Sequence, residues 1–139
     1  VSRMFLPPAN PDIPTFVVVV RKGYGLGALA MAGGSTRAPM RTVSWPTGEF
    51  GAMGLEGSVK LAYRKELLAI EDDAARKAWF DAKVAEAYEQ NKALNSASYL
   101  EIDDVIDPLH TRAEILRTLL SAPPAAAGQP KRRSLVDVW

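Results

Sequence analysis

The chain has 139 residues, 24% of them charged, and a formal net charge of +1. That length supports one domain with a real core, and that balance gives no electrostatic case for nucleic acid or a membrane surface. Cysteine is absent, which excludes a disulfide framework, a thiolate nucleophile and a cysteine-based metal site.

Pro7, Pro8, Pro11 and Pro14 exclude a long regular element over residues 1–15. The chain opens on Val1 rather than Met, so upstream sequence is expected, and no charged-then-apolar leader begins it. The longest apolar run, residues 16–20, is far shorter than the roughly 20 residues of a membrane span. This run, FVVVV, is apolar on both faces, the pattern of a central strand in a covered parallel sheet. Small residues over 25–32 predict a short helix stopped by Gly33 and Gly34, and residues 42–45 predict a second strand closed by Pro46.

Residues 55–70 predict one helix carrying Val59, Ala62, Tyr63, Leu67 and Ile70 on a single stripe. Asp72 and Asp73 place negative charge at the start of a long helix reaching about Lys92. Its Trp79, Phe80, Val84 and Tyr88 are spread over more than one face. Val105 and Ile106 form a third, short strand candidate, and Thr111 with Glu114 spells a capping box for a helix through Leu120. From Ala122 the chain turns Pro/Ala/Gly-rich and then basic at Lys131, Arg132 and Arg133. The expected organisation is therefore one domain over 1–121 and a flexible, solvated tail over 122–139. No internal repeat is visible. Three strand candidates are too few to flank a doubly covered strand, so the sheet reads as part of a larger α/β unit.

Gly25, Gly27 and Ala30 spell G-x-G-x-x-A, the alanine form of the dinucleotide fingerprint. Against that reading, Arg21 and Lys22 separate the apolar strand from the turn. Position 45 is Trp rather than acidic, and Glu49 follows Pro46-Thr47-Gly48, beyond any expected strand end. Two readings stay open: a tight strand-to-helix turn, or a helix start whose free backbone N–H groups receive an anion.

The stretches RKGYGLGALAM (21–31), SWPTGEFGAMGLEGSV (44–59) and AYRKEL (62–67) resemble the carboxyltransferase (β) subunits of biotin-dependent acyl-CoA carboxylases, the propionyl-CoA and acetyl-CoA carboxylase family. YLEIDDVIDPLHTRAEILRTL (99–119) and the closing KRRSLVDVW are similar to that family's C-terminal half. The resemblance implies an α/β, crotonase-like spiral of ββα turns of which only the second half is present. It implies carboxyl transfer from carboxybiotin on a carrier protein to the α-carbon of an acyl-CoA. This half would supply the oxyanion hole on the biotin side. By position, the hole falls on the backbone N–H groups of Leu26 and Gly27, with Leu26 standing where the family usually has Gly. Gly25, Ala28, Met53 and Gly54 fall at the biotin pocket, and Leu29 where acyl-chain selectivity is tuned. Implied partners are a biotin carboxyl carrier or biotin carboxylase (α) subunit, the N-terminal carboxyltransferase half and further copies in a homo-oligomer. The implied location is the cytoplasm, or the mitochondrial matrix of a eukaryote.

Other residues carry plainer expectations. His110 is read as a solvated residue at a helix start, Met31 and Met53 as core fillers, and Trp45 as a packing anchor. Glu49 and Glu56 are the candidates for acid/base work should the chain be an enoyl-CoA hydratase or isomerase instead. A non-catalytic assembly half is the other alternative.

Overall fold

A computed structural model describes Met4 and residues 14–124 of the chain. Lys131 to Arg133 and most of the segment read as a tail lie outside the described residues. Two ββα turns follow one another. The first is β1 (Phe16–Val19), β2 (Lys22–Tyr24) and α1 (Gly25–Met31); the second is β3 (Arg41–Ser44), β4 (Glu49–Gly51) and α2 (Leu55–Ala62). Then come α3 (Arg64–Ala69), α4 (Asp73–Gln90), α5 (Ala93–Ser98), β5 (Asp104–Val105), a 3₁₀ turn (Pro108–His110) and α6 (Thr111–Ser121).

The turns stack by parallel pairing. β1 lies on β3 with Phe16 opposite Arg41, β2 lies on β4 with Lys22 opposite Glu49, and β3 continues to β5. Hydrogen bonds follow the chain around the corner between the two sheets. Trp45 N–H donates to Val19 O, Thr47 Oγ1 to Val20 O and Glu49 N–H to Arg21 O. The sequence shows no repeat, yet the geometry repeats, because backbone pairing alone sets the period.

The three-stranded sheet has the order β1-β3-β5, which corrects the expectation that the FVVVV strand is central. Among the described residues β1 pairs on one side only, and its residues are half-buried. The central strand is β3, RTVS, whose Thr42, Val43 and Ser44 are fully buried. It can be polar because each buried hydroxyl has a carbonyl to donate to. Thr42 Oγ1 reaches Thr36 O at 2.6 Å and Ser44 Oγ reaches Val19 O at 3.0 Å. Strands β2 and β4 were not anticipated. They are three residues each and lack the apolar alternation that marks a strand.

Phe50 of β4, Ala93 of α5 and Ile102 form the core cluster, with Val19, Ala97 and Val105 packed against it. The helix expected over 55–70 is two helices, broken at Tyr63 (φ −107°, ψ 27°). The break lets the Tyr63 ring meet Trp79 edge-on at 5.4 Å, with Lys83 Nζ 5.6 Å from the Tyr63 centroid. Asp72 caps α4 as its charge suggested, accepting from Ala75 N–H at 2.7 Å. Trp79, Phe80, Val84 and Tyr88 are half-buried along one broad arc of α4, and no residue of that helix is fully buried.

The Thr111/Glu114 capping box does not form. Asp107 caps the preceding turn instead, accepting from Leu109 N–H at 2.8 Å with Pro108 in the first position, so the backbone is already coiled at His110. Thr111 Oγ1 instead accepts from Trp45 Nε1 at 3.0 Å, which ties the half-buried Trp45 to the start of α6. Glu114 turns inward. It is buried, lies 3.1 Å from the Arg41 guanidinium and also bonds Arg117, pinning α6 to the central strand.

Glu114→Ala strips the half-buried Arg41 of its buried partner, leaving among the described residues the weaker contact with Asp104 at 3.4 Å. We expect a loss of about 1–3 kcal/mol, read as a lower urea midpoint with unchanged slope. A midpoint equal to wild type would show that the pair carries no net stability.

The joint between β2 and α1 makes a second demand. Gly25 has φ +61°, and a Cβ there would stand 2.8 Å from Ala52 O. Gly25→Ala is therefore expected to cost about 1–3 kcal/mol by the same measurement, and a neutral result would show that the turn can relax.

Candidate functional site

Parallel pairing puts the ends of β2 and β4 side by side, Tyr24 opposite Gly51, so the helices that follow start next to each other. Neither start has a side-chain cap: Tyr24 precedes α1, and Gly54 precedes α2. The first-turn N–H groups of both helices thus have no intrahelical acceptor and carry partial positive charge. Glu56 sits in the first turn of α2 and offsets that charge, whereas the first turn of α1 contains no acidic residue. The backbone reaches this geometry through Gly25, whose missing Cβ admits the Ala52 carbonyl.

The sequence-predicted residues divide into two sets around α1. Gly25, Ala28 and Leu29 line a cavity of about 650 Å³ beneath the helix, together with Val17, Val19 and Phe50. Leu26, Gly27, Met53 and Gly54 do not line it and are exposed at the helix starts. Leu26 is 62% exposed, and a Cβ added to Gly27 would meet nothing within 4 Å. The Leu26 side chain therefore projects into open space. Met53 at 43% exposure and Met31 at 78% correct the expectation that both are core fillers. Met31 ends α1, where Ala30 and Ala32 take the buried positions instead.

Two tyrosines that the sequence reading gave no part at the site lie close to it. Tyr24 Oη donates to Glu49 Oε2 at 2.6 Å, and Tyr88 Oη donates to Glu56 Oε1 at 2.7 Å. Burial, then the bond to Glu49, pushes the Tyr24 hydroxyl well above its ordinary range. The bond from Tyr88 holds the Glu56 carboxyl below its usual value, and the same bond raises Tyr88. Both carboxylates that might have done acid/base work are thus engaged by hydroxyls, and neither lines the cavity. His110 is exposed, as expected, and no cluster among the described residues could hold a metal ion. No helix among them is long and apolar enough to cross a membrane.

Two of the objections to a dinucleotide site do not survive. Strand β2 runs straight into Gly25, and Glu49 lies in a strand. The reading fails on other grounds. Helix α1 has only seven residues before it is stopped at Gly33 and Gly34, and Glu49 sits at the opposite end of β4 from the turn, bonded to Tyr24.

Residues 8–134 match the family model described as the carboxyl transferase domain. The chain is 33% identical over 118 residues to the methylmalonyl-CoA carboxyltransferase 12S subunit of Propionibacterium freudenreichii, covering 85% of this chain and 22% of that protein. It is 32% identical over 127 residues to the propionyl-CoA carboxylase carboxyltransferase subunit of Haloferax mediterranei, covering 90% and 24%. Among solved structures, a single-chain, multi-domain long-chain acyl-CoA carboxylase superposes with a TM-score of 0.72 at 52% identity, over 84% of this chain and 11% of that one. The transcarboxylase 12S hexamer with methylmalonyl-CoA bound superposes with a TM-score of 0.75 at 29% identity, over 94% and 26%. The chain thus spans about a quarter of the length of the curated relatives it matches. The stacked ββα turns are those of crotonase-like carboxyltransferase subunits, and the chain belongs to the carboxyl transferase domain family.

Proposed function

We propose that this chain is the biotin-facing half of a biotin-dependent acyl-CoA carboxyltransferase. The observation that carries the reading is the first turn of α1, which is uncapped, free of acidic residues and open to solvent at Gly27. That donor set fits an oxygen on which negative charge develops. Carboxybiotin bound here would supply the carboxyl group to be transferred, its ureido oxygen facing this turn. The Leu26 and Gly27 amides would donate to that oxygen. Gly25 sets their direction, and Met53 and Gly54, exposed on the same side, border the space around it, while Ala28 faces the cavity beneath the helix. No side chain of this half holds or moves a proton in the step, which accords with the engagement of Glu49 and Glu56 elsewhere.

Leu29 and the largely apolar cavity beneath α1 support a long acyl group as the substrate's variable part. The 52% identity to the long-chain acyl-CoA carboxylase points the same way. Completion requires the N-terminal carboxyltransferase half, a biotin carrier or biotin carboxylase subunit, and further copies of the chain. Leu94, Tyr99, Leu100, Leu109 and Leu120 are all at least 67% exposed, and β1 offers an unpaired edge among the described residues. Such a surface calls for covering partners. The cytoplasm is the location this reading implies.

Residues 1–139 alone are expected to transfer no carboxyl group between acyl-CoA and free biotin, because the acyl-CoA oxyanion site belongs to the other half. Turnover by the purified chain with no other protein would overturn that.

A pair of substitutions in the intact subunit tests the amides. Gly27→Ala keeps the N–H, and its Cβ meets nothing, so near wild-type turnover is expected. Gly27→Pro removes one donor at a position in the first helical turn where proline is tolerated. We expect a loss of about 10²–10³-fold in turnover, with an unchanged circular dichroism spectrum. A folded Gly27→Pro with full activity would remove this turn from the mechanism, and equal losses in both variants would assign the effect to sterics.

A further inference from the structure

We propose that Tyr24 and Glu49 act as a positioning pair that aims the first turn of α1, an inference resting on the function proposed above. Tyr24 is the last residue of β2 and immediately precedes Gly25, so any rotation of its peptide is passed to the Leu26 and Gly27 amides. Its side chain gives α1 no cap. It runs instead across the neighbouring strand. Its ring passes 3.6 Å from where a Cβ on Gly51 would stand, and its hydroxyl reaches Glu49 Oε2 at 2.6 Å, at the other end of β4.

Glu49 is itself fixed by its backbone. Its N–H donates to Arg21 O at 2.6 Å, and the residue bridges to Lys92. The half-buried Tyr24 ring is thus held between two points on one strand, which leaves the following glycine, at φ +61°, little freedom to choose another direction. The pairing has an electrostatic side as well. It occupies the one carboxylate of β4, a strand that ends beside the residue preceding α1, where a free carboxylate would offset the helix charge. The Tyr88–Glu56 pair lies beside this one, and it fixes the first turn of α2 to α4 in the same manner.

The test uses the intact carboxyltransferase subunit with Tyr24→Phe, Glu49→Ala and Glu49→Gln. Steady-state kinetics give kcat and the KM for acyl-CoA, and amide hydrogen exchange follows Leu29 to Met31, whose N–H groups close onto first-turn carbonyls. Misaimed donors lower kcat rather than ground-state binding, so Tyr24→Phe is expected to lose about tenfold or more in kcat, with KM for acyl-CoA within about twofold. Exchange should quicken at Leu29 to Met31 and stay unchanged in α2 and α6. Glu49→Ala should copy Tyr24→Phe, while Glu49→Gln keeps an acceptor oxygen and should restore most of the rate. Wild-type kcat and exchange in Tyr24→Phe would overturn the inference, as would faster exchange spread evenly over all helices. Glu49→Gln as damaging as Glu49→Ala, with a shifted pH profile, would make Glu49 an acid/base group instead and also overturn it. A wild-type subunit that transfers no carboxyl group would defeat the proposed function alone, and the exchange pattern would still decide the role of Tyr24.

Discussion

A Cβ on Gly25 would stand 2.8 Å from the Ala52 carbonyl oxygen, and the rest of the site follows from that approach. Two parallel strands can end side by side and both enter helices only if the first turn lets the backbone of the second pass close to it. With Gly25 at φ +61° the chain bends directly from strand into helix, and α1 starts beside α2. Any other residue would force the turns apart or strain the backbone. The pairing of Tyr24 with Gly51 brings the two strand ends together, and the missing Cβ lets the Ala52 carbonyl approach the turn.

The parallel pairing that brings the helices together also decides which strand is buried. Strand β1 is the most apolar segment of the chain, yet it lies at an edge of the described sheet, while RTVS takes the centre. Hydrophobicity ranks segments by how much burial stabilises them. Pairing order is set by the path of the spiral, in which each turn lies on the one before. A polar strand withstands the centre because Thr42 and Ser44 hand their hydroxyl protons to nearby carbonyls, and Asp103 accepts from the Thr42 amide. The same burial makes Arg41 and Glu114 an anchor for α6.

Legibility in the sequence followed the range of the forces involved. The α1 helix, its stop at Gly33 and Gly34 and the helix start at Asp72 and Asp73 depend on a few adjacent residues, and all were readable. The three-residue strands β2 and β4 depend on partners more than 20 residues away and leave no periodic trace. The Thr111/Glu114 motif has the right spacing for a capping box but loses to the Asp107-Pro108 turn just before it, which starts the coil earlier. At the site, the turn itself was visible as a glycine cluster. The division of its residues between a cavity face and a solvent face was not, because helix rotation is fixed by packing on strands that had not been recognised. The hydroxyl pairings of Tyr24 and Tyr88 were not legible for a related reason: a tyrosine in an apolar pattern declares its ring, while the partner of its hydroxyl is set by tertiary structure.

A site made of backbone donors explains a pattern that a side-chain mechanism would leave odd. The part of the chain nearest the proposed chemistry contains Leu26, Gly27 and Ala28, none of which bears an ionisable group. Every residue except proline carries the same N–H, so the side chains at such a turn are free to vary while the donors remain. Leu26 illustrates this. Its side chain is 62% exposed, and its amide is there whatever that side chain is. The constraints fall one residue earlier, where Gly25 must have no Cβ and Tyr24 must hold its ring along β4. In this fold the residues that govern the chemistry are those that aim the backbone, and the residues that supply the donors are chemically plain.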